Sequence, residues 1–205
     1  MSGSQQLKVQ KKHRIFPVFC LFLLFAATAM VITPNLSIAE KAAQQHQPPS
    51  EKITIKFPEN YRTTYKHYQS VDRANPKQIG ELYANPIAIN SLKTSDTFAN
   101  GSVLIMEIYN AKLDKDGNPV LNEQGRRIKA GLKVIAVREK QAGWGAKWPE
   151  DVRNEDWDSI FFSPKTKQPL KKDYTACQEC HKPLTDTDYT FSYEALKSIG
   201  KQPRP

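Results

Sequence analysis

The sequence predicts an α+β protein, an antiparallel β-sheet of about five strands followed by C-terminal helices. Three observations carry that expectation. Between Tyr65 and Phe162 the apolar residues fall in short runs rich in β-branched and aromatic side chains, as strands require. Helix start and stop signals gather instead after Asp173. The composition, 39% hydrophobic and 25% charged over 205 residues, suits one modest globular domain.

The first 39 residues stand apart from that domain. Lys8, Lys11, Lys12 and Arg14 precede an apolar run from Ile15 to Ile32, broken only by Pro17 and Thr28, and Ser37-Ile38-Ala39 supplies small residues for cleavage. This is an export signal and places the protein in the periplasm. The run is also long enough to stay as a membrane anchor if it is not removed. Cys20, inside the run, has no lipoprotein-type context. Residues 40–52 are polar, Gln-rich and contain Pro48-Pro49, a flexible linker. The folded domain is expected over 53–200, with 201–205 a disordered tail.

Within the domain, Phe57 to Arg62 forms an opening turn with Pro58 at the first helical position. Strands are expected over Tyr65–Val71, Ile79–Ala84, Ser102–Asn110, Leu132–Arg138 and Asp158–Phe162, with a short helix over Pro86–Leu92. Lys112 to Ala130 is polar. Its Asp114-Lys115-Asp116-Gly117-Asn118 begins like a calcium loop, but no glutamate stands at the twelfth position, so turn chemistry makes it a hairpin tip. Trp144, Trp148 and Trp157 lie within fourteen residues and suit a core patch at one end of the sheet. Asp173 caps a helix from Tyr174 that Pro183 ends, Asp186 to Asp188 form a turn, and a last helix runs from Ser192 to Ile199 with Gly200 as its stop.

That penultimate helix carries Cys177-Gln178-Glu179-Cys180-His181. Two thiols three positions apart can add to the two vinyl groups of a haem, and the following imidazole can ligate the iron, which is the C-x-x-C-H pattern of haem c. Zinc would need further ligands at matching spacing. A thioredoxin-type pair belongs at the start of a helix after the first strand of an α/β unit, and a disulfide this short would stabilise little. Export agrees with haem attachment, which in bacteria takes place outside the cytoplasmic membrane. Flat aromatic rings pack well on porphyrin, so Trp144 is a candidate to line the cofactor. The leader holds four of the thirty Lys and Arg and none of the twenty-one acids, leaving twenty-six basic residues and a net +5 on the mature chain. These charges are interleaved with acids, which excludes a nucleic-acid footprint but suits steering of an acidic redox partner protein.

The order of features resembles the cytochrome P-460 family, which includes the β-sheet cytochromes c′-beta. The matching pieces are Pro58-x-x-Tyr61-Arg62, Asn100-Gly101-Ser102-Val103-Leu104-Ile105-Met106-Glu107, Trp144-Gly145, Cys177-x-x-Cys180-His181-Lys182 and Asp188-Tyr189-Thr190-Phe191. The resemblance covers Phe57 to Ile199. It implies a periplasmic mono-haem protein, often a homodimer, with His181 proximal and the distal iron position open. Some members oxidise hydroxylamine and carry a lysine joined to the porphyrin edge; others bind nitric oxide in an apolar pocket. The lysine slot is Met106 here, and a thioether cannot form that nitrogen–carbon link.

On the distal side the mature chain offers His46, His67 and Met106 as protein ligands. Met106 alternates with Leu104 and Ile108 on an apolar strand face, which suits packing, with iron ligation as the alternative. His67 sits in a polar run, and Lys133 opens a strand as a solvated edge residue or a distal donor. Three functions follow: binding of a small diatomic such as nitric oxide, oxidation of hydroxylamine or a related nitrogen compound, and electron transfer with Met106 as sixth ligand.

Overall fold

The computed structural model describes residues 55–201. The expected leader and linker, together with His46 and residues 202–205, lie outside the described residues. Five antiparallel strands pair in chain order: β1 (Lys66–Asp72), β2 (Gln78–Ala84), β3 (Val103–Ala111), β4 (Lys129–Lys140) and β5 (Trp157–Phe162). Helix α1 (Tyr61–Thr64) precedes the sheet, α2 (Pro86–Thr94) joins β2 to β3, and α3 (Thr175–His181) and α4 (Tyr193–Gly200) follow β5. The fold is therefore α+β, as the strand-like runs imply.

Strand β4 is longer at both ends than the expected Leu132–Arg138, most other ends shift by one or two residues, and two boundaries differ for a reason the backbone shows. Helix α1 begins at Tyr61 and not at Pro58, because Asn60 takes a left-handed conformation (φ 58°) that turns the chain there. Gly200 is the last residue of α4, with no left-handed φ; its role is close approach, since a Cβ there would meet the Ile89 carbonyl oxygen of α2 at 3.2 Å.

Pairing register divides the side chains between two faces. Leu82, Met106, Ala136 and Phe161 lie in line across β2 to β5, as do Leu104, Arg138 and Ser159 on the same face. Next to them the core of Ala84, Leu92, Phe98, Leu104, Trp157 and Leu196 is closed by α2 and α4. The opposite face carries Tyr61, Val103, Ile105, Ile135, Val137 and Phe162.

Between β3 and β4 the polar stretch folds as two successive turns of the same design. Bridges Leu113–Pro119 and Leu121–Arg127 close them. Asp114 Oδ1 accepts from the N–H groups of Asp116 and Asn118, and Asn122 Oδ1 from those of Gln124 and Arg126. Gly117 and Gly125 supply the left-handed residue in each, at φ 82° and 70°. Asp114 is occupied by its own backbone, and among the described residues no cluster of three metal-ligating side chains occurs. The second turn grips the β1–β2 connection: Arg127 Nη1 donates to the carbonyls of Arg73, Asn75 and Gln78.

Candidate functional site

Between the Met106 face of the sheet and the C-terminal helices lies a cavity of about 500 Å³, within the range of cofactor sites, about 300–1,000 Å³. One wall is α3. The N-cap is Tyr174 and not the expected Asp173, which instead forms an Asx turn just before the helix by accepting from the Thr175 N–H and hydroxyl, at 2.8 and 2.7 Å. Helical spacing then puts Cys177, Cys180 and His181 on one side, and all three line the cavity. The thiols are not joined to each other.

His181 is held as a ligand would be. Its Nδ1 lies 2.7 Å from the Tyr189 carbonyl oxygen; with Nδ1–H as donor, Nε2 keeps its lone pair for a metal. Burial, and then the charge of Arg138, lower its pKa to about 4, so the ring is neutral at physiological pH. The carbonyl is delivered by two successive left-handed residues, Asp188 (φ 45°) and Tyr189 (φ 57°). Such non-glycine conformations persist only where their surroundings hold them. Here Asp188 accepts from Lys140 Nζ at 2.7 and 2.9 Å, from Trp157 Nε1 at 3.1 Å and from the Phe98 N–H at 2.7 Å.

The facing wall is mostly apolar, but Tyr68, Ser159 and two arginines also line it. Leu82, Leu104, Met106, Ile108, Ala136 and Phe161 contribute hydrocarbon and sulfur. Gly80, on β2, makes room for Met106, since a Cβ there would stand 3.3 Å from its Cγ and Sδ. Arg73, from the β1–β2 connection, reaches in and sets Nη1 against Met106 Sδ. Arg138, on β4, is 7% exposed and donates to Ser159 Oγ at 3.2 Å and Asn154 Oδ1 at 2.9 Å. The Nε of each arginine is buried without a partner.

The other sequence candidates lie elsewhere. Trp144 is not on the cavity wall: it packs against the cluster on the opposite sheet face, because the 3-10 turn Trp144–Lys147 is fastened there. The neighbouring Gly145 explains the fastening, as a Cβ at that position would overlap the Glu155 carbonyl. Trp148 donates to Asp158 in an outer pocket, and Trp157 sits in the core beneath the Arg138 guanidinium. None of the three lines the cavity. His67 Nε2 pairs with Glu81 at 2.6 Å, and Lys133 is exposed on β4. Met106 is on the wall; Arg73 and Arg138 were not anticipated.

The donor set fits haem. Two thiols and a neutral imidazole with a free Nε2 share one wall of an apolar space, and unpartnered guanidinium N–H groups await the polar part of an occupant. An α+β domain that presents a C-x-x-C-H helix over such a cavity defines a haem-binding protein of cytochrome type. The cytochrome P460 family profile matches residues 58–192. The chain belongs to that family. No curated protein matches it.

Proposed function

We propose that this is an exported c-type cytochrome carrying one haem, joined through Cys177 and Cys180, whose open axial position binds a small gas such as nitric oxide. His181 supplies the iron ligand through Nε2, and its Nδ1–H bond to Tyr189 fixes the ring plane. Haem contributes an iron whose free position takes a diatomic; the chain contributes orientation and exclusion of water. One observation carries the reading: among the described residues, His181 is the only imidazole lining the cavity. Met106, the one thioether there among the described residues, is packed on β3 against Gly80 and Arg73. Absorption spectra of the reduced, haem-loaded protein test it. A high-spin spectrum that changes sharply on adding nitric oxide is expected, and a low-spin spectrum indifferent to it would overturn the reading. Collapse of such a low-spin spectrum in Met106→Leu would establish the electron-transfer alternative.

Arg73 favours a second reading. It brings a charged donor into a cavity expected from the sequence to be apolar, which suits a nitrogen compound with hydrogen-bonding atoms, such as hydroxylamine. Turnover of hydroxylamine with an electron acceptor, lost in Arg73→Leu, would favour this over gas binding.

A further inference from the structure

Arg138, on the cavity wall, stands out among the buried charges of the sheet and its C-terminal helices. Asp188 is matched by Lys140 and Asp158 by Lys147. Arg138 has no carboxylate within hydrogen-bond reach: its acceptors are the neutral Ser159 hydroxyl and Asn154 amide oxygen, its Nε has none, and the Trp157 ring lies 5.1 Å below it. A lone buried cation is costly unless something in the same site uses its charge. Its position is tied to the haem helix, because Asn154 Nδ2 donates to the Gln178 main-chain carbonyl at 3.0 Å, between the two cysteines. Gln178 itself is fully buried and donates to the Trp157 carbonyl at 3.2 Å. The guanidinium is therefore locked between β4 and the Cys177–His181 helix on the wall that both share.

We infer that Arg138 is a fixed positive charge that holds the haem iron toward its ferrous state. The inference rests on the haem reading above and concerns a positioning residue, not a ligand. Reduction adds one electron and removes one positive charge from the iron–porphyrin unit. A buried cation nearby is repelled less by the reduced form, and in a low-dielectric wall that difference is large. Burial and neutral hydrogen-bond partners limit screening by solvent, and Asp188 and Asp158 act on the guanidinium without bonding it. The Arg138 charge also acts in the direction that keeps His181 neutral. A ferrous bias suits a site that is to take neutral diatomics.

The test is a spectroelectrochemical titration of the full-length, haem-loaded protein, with one-electron dye mediators as reductant. Haem content and Soret absorbance are recorded first. At the potential where the native protein is half reduced, Arg138→Gln should be at least tenfold more oxidised, a shift of about 59 mV for one electron. Arg138→Lys, which keeps the charge, should return to within threefold of native. Should Arg138→Gln fail to fold or load haem, Ser159→Asp decides: a carboxylate placed on the Arg138 guanidinium should shift the balance the same way. Native-like titration of the neutral variant, or an equal shift in Arg138→Lys, overturns the inference while leaving the haem reading intact. A native protein with no haem absorbance would instead overturn the haem reading.

Discussion

On one face of the sheet Glu107 is 1% exposed and accepts from Tyr61, Arg62 and Tyr109 at 2.5, 2.6 and 2.9 Å, with Tyr83 at 3.5 Å. On the other, Arg138 reaches two neutral acceptors and keeps one N–H unpartnered. Glu107 and Glu81 stand directly opposite each other across β2 and β3, yet Glu81 is likewise answered by Ser70, His67 and Lys129. Like charges in that position repel, so each carboxylate needs its own donors. The comparison teaches how to separate architecture from chemistry. A buried charge whose hydrogen bonds are all met holds the fold together, whereas one with capacity to spare, on the wall of a cavity, has been kept for an occupant.

The largest expected effect would break the comparison outright. Replacing both Cys177 and Cys180 by Ala should abolish covalent haem, seen as loss of absorbance in the denatured protein, whereas Glu107→Gln should keep it in full. Asp188→Asn comes next, because it strips Lys140 of its buried partner and releases the turn that offers Tyr189 to His181. Denaturant titration should show a loss of about 3–5 kcal/mol. Glu107→Gln should cost less, about 2 kcal/mol, since its strongest cation, Arg62, is more than half exposed and regains water; an altered haem spectrum in this variant would count against the division of faces.

The alkaline limb sharpens the same contrast. Burial, helped by hydrogen bonding to Glu107, pushes Tyr109 up to about 12, and burial does the same for Tyr68 on the cavity face. A phenol with a raised folded pKa keeps its contribution below its unfolded value near 10, and loses it as pH climbs through 12. Stability should therefore fall between pH 10 and 12, and Tyr109→Phe and Tyr68→Phe should each flatten part of that fall. Only the second should move the haem spectrum with pH. The smallest effect belongs to Arg73→Leu, within about 1 kcal/mol in stability, with a measurable change in nitric oxide affinity.

Legibility followed locality. C-x-x-C-H is a local pattern, and helical spacing alone carries its three side chains to one side of α3. Strand existence could be read from β-branched runs, and the alternation of Leu104, Met106 and Ile108 marks the face they share. The same alternation carries Glu107 to the opposite inner face and Arg138 in line with Val134 and Ala136, so two buried charges had a signal: an ionic residue in an apolar run. The repeat of Leu113-Asp114 and Leu121-Asn122, each with glycine three residues after its Asp or Asn, was equally open to view. Trp144 misled because aromatic character says nothing about which face a 3-10 turn will be fastened to; the close approach of Gly145 to Glu155 decides that.

From the chain alone came the C-x-x-C-H pattern that points to haem, the α+β class and the positions of the strand runs, because these depend on neighbours within a few positions. Folding decided which groups meet that chemistry: Tyr189 on His181, Arg73 on Met106, Arg138 behind the haem helix. These pairs lie up to about forty residues apart, and they come together only through sheet register and helix docking, which no local pattern encodes.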